Sequence, residues 1–360
     1  MRAGRPRSFG LHFSEMLPLL GGRNLMKIGI VGGYGHTMVR HLPGASLAWA
    51  CDEYDRAALD KARSAHCAQT YLSMDEMLEK FAPDLVYIGT VYAQNGPLAI
   101  RALEAGFDVL AEKPLATDWK TYDRLKELTA SGERRLIAEL PMRWNFAMQK
   151  TQQIFREGRI GDPVMIQAQK TYKFGASRPD FYKSRELFGG IIPWVAVHAI
   201  DFASWSTGLR FRSVTARQGN CRFPEYREME DHAAMFFEMT GGVPCLITAD
   251  FLRPQGAPSH GDDRLRITGT KGVLEVRGET VFLLDAQGED RWDCPIDESW
   301  GINTAQALVA AARGEPSTEI STAECLHITA AALAARDAAS QNLPNHPVPD
   351  SAQTNFPAAI

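Results

Sequence analysis

Short apolar strand patterns that alternate with helix patterns constrain the fold of this 360-residue chain more than any other feature. Helix patterns over residues 97–105 and 118–130 separate the later strands. Strands that alternate with helices form parallel sheets with helices on both faces. The first part of the chain is therefore predicted to be a doubly wound α/β domain. Its strand candidates, each short and apolar, are 26–31, 46–51, 84–89, 107–111 and 135–139.

A glycine-rich segment, Gly32-Gly33-Tyr34-Gly35, follows the first strand directly, and a helix is expected to begin just after it. Glycines permit a tight turn and let backbone N–H groups approach a pyrophosphate at a helix N-terminus. With Gly33 and Gly35 as the first two fingerprint glycines, Met38 fills the third slot. With Gly32 first, Tyr34 fills the second slot, and a plain tight turn is an equal alternative. The candidate dinucleotide contacts here are Gly32, Gly33, Tyr34, Gly35 and His36.

An acidic residue ends the second strand, since Asp52 and Glu53 follow the apolar run 46–51. An acid about 20 residues beyond the glycines is where the adenosine ribose hydroxyls are held. Asp52 would also repel the 2′-phosphate of NADP, which favours NAD. Arg56, one turn further on, is the residue that could reverse this preference. The alternative is that Asp52 caps the next helix.

The tripeptide Glu112-Lys113-Pro114 closes the fourth predicted strand. A residue at the carboxyl end of a parallel strand lies where open α/β sheets bind ligands. Pro114 fixes φ, so the chain leaves the strand in one direction. Lys113 is therefore predicted to project its ammonium group into a ligand crevice, where it would act in catalysis.

Several short motifs in a fixed order give the chain, from about residue 26 to about 343, its resemblance to a known family. The chain resembles the glucose–fructose oxidoreductase / inositol dehydrogenase / MocA family of dinucleotide-dependent oxidoreductases. The motifs are the glycine turn, Thr90, Ala111-Glu112-Lys113-Pro114-Leu115-Ala116, Pro141-Met142-Arg143-Trp144, the segment 158–163, Gly189-Gly190 leading to His198-Ala199-Ile200-Asp201, and the segment 264–272.

The resemblance implies an N-terminal Rossmann domain that binds NAD or, less readily, NADP. It implies a C-terminal α+β domain on a large open, mixed or antiparallel sheet. One face of that sheet would cover the active site, and the other would form a homodimer or homotetramer. Substrates in this family are typically sugars, cyclitols and related polyols, oxidised at a secondary alcohol. The residues to which the resemblance assigns cofactor contact are Thr90, Asn95, Glu112 and Lys113, and those for the chemistry are Lys113 and His198.

Three positions depart from the family pattern: Asn95 and Trp194 stand where His and Asp are frequent, and Ala196 replaces a frequent Gly. Trp194 cannot accept a proton, although its indole could form a stacking wall for a sugar ring. The departures keep two alternatives open. One is a lyase or glycosidase that uses bound NAD without net redox change, and the other is a regulatory protein that binds a nucleotide or sugar.

The second domain supplies the remaining candidates. His198 begins a helix, and Asp201 lies one turn later, where it could orient the imidazole ring or face the substrate. Arg143 could hold substrate oxygens or form a salt bridge at a helix end. The segment 172–183 mixes aromatic residues with cations, which suits a polyol or an acidic sugar, or an ordinary surface loop. The predicted substrate contacts are Arg143, Tyr172, Arg178, Trp194 and His198.

Strand patterns in this domain cover 163–172, 212–218, 233–239, 244–251, 264–268, 272–276 and 280–284, and helix patterns cover 198–206 and 322–340. The second helix is expected to return to the first domain. The proposed organisation is a flexible arm over 1–25, a Rossmann domain over 26–145, a substrate domain over 146–343 and a loosely ordered tail over 344–360. Met26 also has the surroundings of a natural start.

Composition limits the remaining possibilities. A net charge of −4 and a pI near 6.2 argue against a nucleic-acid partner, which requires a basic face. No uninterrupted apolar run has membrane-spanning length, so no membrane partner is expected. The six cysteines form no C-x-x-C pair and no zinc ligand set, so we expect no metal. Reduced thiols favour the cytoplasm.

Overall fold

The computed structural model describes residues 26–50, 69–175, 178–315 and 319–349. The first domain has a parallel six-stranded sheet in the order β3-β2-β1-β4-β5-β6. This arrangement confirms the predicted doubly wound α/β domain. The strands are β1 Lys27–Val31, β2 Ser46–Ala50, β3 Gln69–Tyr71, β4 Leu85–Ile88, β5 Val109–Glu112 and β6 Leu136–Glu139.

The expected helix after the glycine turn is absent, because only a single 3-10 turn, Met38–His41, separates β1 from β2. The connection ends in Leu42-Pro43-Gly44, and a proline disfavours helical geometry in the residue before it. The prediction of a helix beginning near His36 was therefore wrong.

Among the described residues, the helices up to residue 156 are α1 Met74–Lys80, α2 Tyr92–Glu104, α3 Trp119–Thr129 and α4 Phe146–Arg156. The first three belong to the first domain, whereas α4 packs against the second domain. Helices α2 and α3 were predicted from the sequence, and α1 and α4 were not. Helix α2 starts five residues before the predicted boundary and carries Pro97 in its interior. Proline is most common at the first helical position, which is why the sequence pattern placed the start there. Asp118, the first residue of the predicted pattern 118–130, caps helix α3, since its side chain accepts the Thr121 N–H.

The second domain is built on a nine-stranded mixed sheet in the order β14-β13-β12-β11-β7-β10-β9-β8-β15. Strands β7 and β10 are parallel, and the other neighbours are antiparallel. The sequence did not predict β14, whose residues are mostly exposed. The strands are β7 Pro163–Tyr172, β8 Phe211–Gly219, β9 His232–Met239, β10 Pro244–Asp250, β11 Gly261–Gly269, β12 Gly272–Arg277, β13 Thr280–Asp285, β14 Gly288–Asp293 and β15 His346–Pro347.

The helices of this part of the chain are α5 Arg185–Phe188, α6 Val197–Thr207, α7 Ser299–Arg313 and α8 Thr322–Gln341, with a π-helical turn, Ile192–Ala196, before α6. The helical stretch Arg185–Thr207 is long and apolar enough to cross a membrane by length and composition alone. Because 89% of its most apolar window is buried inside the protein, it packs as a core helix.

Helix α8 lies against the open edge of the first sheet, at strand β6. The backbone N–H of Leu136 donates to the Thr322 hydroxyl at 3.1 Å, and the N–H of Ala138 points to the Cys325 sulfur at 3.2 Å. These contacts satisfy edge donors that would otherwise face solvent.

The chain after α8 is packed over its described part. Strand β15 pairs with β8, and Val348 is buried. The prediction of a loosely ordered tail from residue 344 is therefore wrong up to residue 349. The arm 1–25 lies outside the described residues, as does the end of the tail from residue 350.

Candidate active site

The glycine turn after β1 packs so closely on β4 and β5 that two of its positions admit only glycine. Gly32 and Gly35 have φ angles of +85° and +90°. A Cβ on Gly32 would lie 2.5 Å from the carbonyl oxygen of Gly89, and a Cβ on Gly35 would lie 2.5 Å from Cγ of Glu112. The backbones of Gly33 and Gly35 are exposed. An exposed glycine backbone at this strand end fits the pyrophosphate of a dinucleotide.

Two buried glutamates lie beneath the turn. Glu112 accepts the backbone N–H of His36 at 3.2 Å, and Glu139 accepts that of Met38 at 3.1 Å. The N–H of residue 37, between them, donates to the Tyr87 hydroxyl at 3.0 Å. In a Rossmann domain with a full helix here, such donors would face the phosphate. In this chain these N–H groups donate to the side chains of Glu112, Tyr87 and Glu139 instead. The exposed backbone of Gly33 and Gly35 is therefore the part of the turn available to a cofactor.

The two glutamates end adjacent strands and face each other across paired positions of β5 and β6. Burial, and then the charge of Glu112, raises the pKa of Glu139 to about 7. Burial works against ionisation of Glu112 as well, but His36 and Lys113 beside it hold the pKa of Glu112 below its ordinary value. Near neutral pH, Glu112 is therefore ionised and Glu139 exchanges a proton.

Lys113 is buried where the two domains meet, with only 2% of its side chain exposed. Its ammonium nitrogen lies 3.4 Å from Oε1 of Glu112 and 3.8 Å from the centre of the Trp194 ring. Burial lowers the pKa of Lys113 to about 8, against the opposing pull of Glu112. Lys113 is thus packed on the indole, and its role in catalysis stays a prediction.

His198 lies on the first turn of α6 and is also buried. Its ring centre lies 6.0 Å from that of His36, which joins the second domain to the glycine turn. Neither ring nitrogen of His198 has a hydrogen-bond partner among the described residues. Burial, followed by the charges of Lys113 and Lys170, holds the pKa of His198 well below its ordinary value. The imidazole is therefore neutral at pH 7 and can accept a proton.

Two predicted site residues are bound to each other instead. Arg143 donates to both carboxylate oxygens of Asp201, with the shortest distance 2.6 Å, and it also contacts Glu324 at 2.9 Å. Both Arg143 and Asp201 are fully buried. The structure thus overturns a role for Asp201 in orienting His198 and for Arg143 in binding substrate. The pair instead fastens α6 to the segment after β6 and to α8.

Thr90 and Asn95 are also structural. The Asn95 side chain accepts the Thr90 N–H at 2.9 Å and donates to the carbonyl oxygens of Glu112 at 3.1 Å and Pro114 at 3.4 Å. Both residues are fully buried. Their geometry makes Asn95 a positioning residue that holds the segment around Lys113, and the structure gives neither side chain direct access to a cofactor.

The predicted substrate residues of the second domain form one wall. The Trp194 ring stacks on Tyr92 with centres 5.1 Å apart and lies 6.1 Å from Tyr172. The Arg178 guanidinium lies 5.6 Å from the centre of the same indole. The buried Trp194 indole thus lies beside two cations, Lys113 and Arg178.

Two charged residues of the site, Glu139 and Lys170, were not predicted from the sequence. Lys170 lies on β7 in the buried phase of the strand, after Ile166 and Ala168, and it pairs with Asp263 at 2.7 Å. Its charge acts on both Lys113 and His198. Lys170 could have been noticed, because it occupies an inward-facing position of the predicted strand 163–172. Charged residues are rarely buried unless they are paired. Asp52, the predicted ribose ligand, lies outside the described residues.

Within the described part of the chain, two side-chain groups come close enough to share an ion, whereas the cysteine spacing had suggested no ligand set. They are His36, Glu112 and Glu139, and Cys221, Asp231 and His232. In the second group the Asp231 carboxylate already has protein partners, because it accepts the N–H groups of residues 221 and 222 and pairs with His232. The first group is the carboxylate pair beneath the glycine turn.

A Rossmann sheet, a glycine turn, and a buried lysine whose charge acts on a buried histidine of the second domain are features of the class of dinucleotide-dependent oxidoreductases. The model of an oxidoreductase family with an NAD-binding Rossmann fold matches residues 26–140, and that of the GFO/IDH/MocA C-terminal domain matches residues 148–275. The chain belongs to the GFO/IDH/MocA family, and it is an NAD-dependent dehydrogenase by class.

Individual relatives agree with this assignment. The NAD-dependent scyllo-inositol 2-dehydrogenase of Bacillus subtilis is 28% identical over 269 residues, which cover 71% of this chain and 75% of the relative. A solved structure of a Thermotoga maritima protein classed as an oxidoreductase is 33% identical, with a TM-score of 0.81 over 88% of this chain and 99% of that one. A levoglucosan dehydrogenase in complex with NADH shares the fold, with a TM-score of 0.77 at 18% identity over 91% of this chain and all of that one.

Proposed function

We propose that the protein transfers a hydride between NAD and a secondary alcohol of a sugar, cyclitol or related polyol. The observation that carries the proposal is the meeting of Lys113 and His198, from different domains, beside the glycine turn. The inositol dehydrogenases among its relatives support the substrate class.

The bound cofactor would supply the hydride acceptor. The backbone of Gly33 and Gly35 would hold its pyrophosphate, and Asp52 its adenosine ribose. His198, neutral at pH 7, takes the hydroxyl proton of the substrate. Lys113 donates to the same oxygen and stabilises the negative charge that develops on it. Trp194 and Tyr172 hold the carbon skeleton.

The test is NADH formation by the purified protein with a panel of polyols, cyclitols and sugars. Absorbance at the NADH band, followed with and without each alcohol, reports hydride transfer directly. Calorimetry with NAD on the same sample reports cofactor binding. Clear NAD binding with no NADH from any member of the panel would remove the dehydrogenase proposal.

A second candidate follows from Trp194, which leaves His198 without a carboxylate partner. In this alternative the protein uses NAD transiently for elimination or glycoside cleavage, and the cofactor is regenerated in each cycle. Product formation without accumulation of NADH would select this candidate.

Cofactor choice gives a further prediction. We expect NAD to bind at least about tenfold more tightly than NADP, because a 2′-phosphate near the Asp52 carboxylate would be repelled by a kcal/mol or more. Calorimetry with both nucleotides measures the ratio. The Asp52→Ala variant should narrow it, and tighter binding of NADP by the wild type would contradict the prediction.

We also propose that the open face of the second sheet binds a second copy of the chain. Phe236 and Leu246 are 52% and 45% exposed, and they face each other across β9 and β10. Leu284 and Val164 add exposed apolar area on other strands of the sheet. Exposed apolar patches of this kind mark interaction surfaces. We further propose the domain boundaries predicted from the sequence, with a Rossmann domain over 26–145 and a substrate domain over 146–343, and a cytoplasmic location.

Charging this face should break the assembly. We expect the Phe236→Asp/Leu246→Asp double variant to shift the protein toward the monomer, since burying such side chains at an interface typically contributes about 2 kcal/mol or more. Light scattering after gel filtration measures the mass. Leu72→Asp is the matched control, because Leu72 is 74% exposed and lies in the first domain. A monomeric wild type would refute the proposal.

A further inference from the structure

Arg178 is a cation enclosed by aromatic rings at the substrate wall. Its guanidinium carbon lies 5.3–5.6 Å from the ring centres of four aromatic residues, which are Phe174, Tyr182, Trp194 and Phe251. It donates only weakly, to the Tyr182 hydroxyl at 3.3 Å and the Lys173 carbonyl at 3.4 Å. Within the described residues it has no carboxylate partner, and its Nε is buried without a hydrogen bond.

Lys173, next to Arg178, donates to the Ala257 carbonyl oxygen, and three other neighbouring cations each have an anion. Lys170 pairs with Asp263 at 2.7 Å, and Lys113 lies 3.4 Å from Glu112. Arg253, further out, lies 3.3 Å from Asp262. Arg178 thus retains unused charge and unused donors.

The surroundings of Arg178 are positive. The His260 ring packs on Tyr172, with centres 5.1 Å apart. Burial lowers the pKa of His260, and the charges of Arg178, Lys170, Lys173 and Arg253 lower it further. An anion entering the site would therefore be attracted before it reached the reacting groups.

A guanidinium fork matches a carboxylate in shape, and the pair is strongest where water is excluded. Arg178 is half-buried and its Nε is fully buried, and removing part of a cation from water without an anionic partner is unfavourable, so a carboxylate on the ligand would relieve the cost at Arg178. The Trp194 indole is adjacent to both cations, with Lys113 3.8 Å and Arg178 5.6 Å from its ring centre. A substrate lying along it would present its carbinol to Lys113 and its carboxylate to Arg178.

We propose that the substrate is a sugar acid, an aldonate or uronate, and that Arg178 is the specificity-determining residue that binds its carboxylate. This inference rests on the proposed dehydrogenase function, and it narrows the substrate class from polyols in general to those that carry a carboxylate.

The test uses matched substrates that differ at the acidic group: gluconate with glucitol, and glucuronate with glucose. In the wild type with saturating NAD, kcat/KM for the acid should exceed that for its neutral partner about 10-fold to 100-fold, the range expected of a hydrogen bond to a charged group. Raising the ionic strength should increase KM for the acids and leave it unchanged for the neutral partners.

The Arg178→Gln variant should lose this preference through kcat/KM for the acids, by about 10-fold to 100-fold, while the neutral partners change little. Arg264→Gln is the matched control, because Arg264 is an exposed cation on β11 that pairs with Asp262. Its substrate preference should equal that of the wild type. Tm and NAD affinity check that each variant is folded.

Failure of the sugar-acid proposal and failure of the dehydrogenase proposal give different results. NADH formation that is equal for acids and neutral partners, or that falls equally for both in Arg178→Gln, overturns the sugar-acid proposal and leaves the dehydrogenase intact. If NAD binds and no substrate yields NADH, calorimetry of gluconate and glucuronate with the NAD complex decides: binding that is lost in Arg178→Gln supports the carboxylate site, and no binding overturns it.

Discussion

The Lys113→Met variant is expected to lower kcat at least about 10²-fold to 10³-fold, the loss typical when a group that stabilises a developing oxyanion is removed. Methionine is the appropriate replacement, because the Lys113 side chain is buried on Trp194 and alanine would leave a cavity there. Steady-state NADH formation measures the loss, and NAD affinity and Tm should stay near wild type. A near-normal kcat would show that Lys113 does not take part in the reaction.

The pH dependence provides a second measurement of the same residue. The pKa of Lys113 is about 8, so its ammonium is charged below that pH and neutral above it. Because only the charged form stabilises an alkoxide, kcat/KM should fall as the pH rises above about 8. Lys113→Arg keeps its charge throughout this range, so whatever activity it retains should lack the fall.

The His198→Asn variant is expected to lower kcat by about 10²-fold to 10⁴-fold, the usual contribution of general acid–base catalysis. Asparagine keeps part of the size and polarity of the ring but cannot take a proton near neutral pH. In the wild type, the acid limb of the pH–rate profile should lie well below pH 6.5, because burial and the neighbouring cations lower the pKa of His198. The variant should lose this limb while binding NAD normally.

The control for this variant is His327→Asn. His327 is a second buried histidine on α8, where it accepts the Phe211 N–H and stacks on the Phe211 ring. Its replacement should lower Tm and leave the pH–rate profile unchanged. If His198→Asn behaves like His327→Asn, with reduced stability and an unaltered profile, then His198 has only a structural role.

The fold was predictable from the sequence where local patterns decide it. Five of the six strands of the first sheet are short and apolar, so periodicity and turn residues were sufficient for them. Strand β3 is a polar three-residue strand, and the apolar pattern did not reveal it. The missing helix after the glycine turn was not anticipated, because the length of the connection to β2 decides it and a glycine motif does not. Helix α7 and strand β14 were also missed. The first carries no strong cap, and the second is largely exposed and so lacks an inward-facing apolar phase.

The site was predictable where a residue follows a strand or a motif. Lys113 and His198 were found in this way. The partnership of Arg143 with Asp201 was not, because it joins residues 58 positions apart in sequence and depends on how the domains meet. The adjacency of Glu112 and Glu139 likewise required the register of β5 against β6. The sequence indicates at which strand end a charged residue lies. Which oppositely or similarly charged residue lies next to it is determined by tertiary packing.

The contact of α8 with β6 has a consequence for the order in which the molecule is completed during synthesis. Domains generally fold from the N-terminus as they leave the ribosome. Here the donors at the edge of the first-made sheet bond to Thr322 and Cys325, which are among the last described residues to be made. The nucleotide-binding domain therefore keeps one strand edge uncovered until α8 has been synthesised. A chain truncated before residue 322 would keep that edge open to other strands.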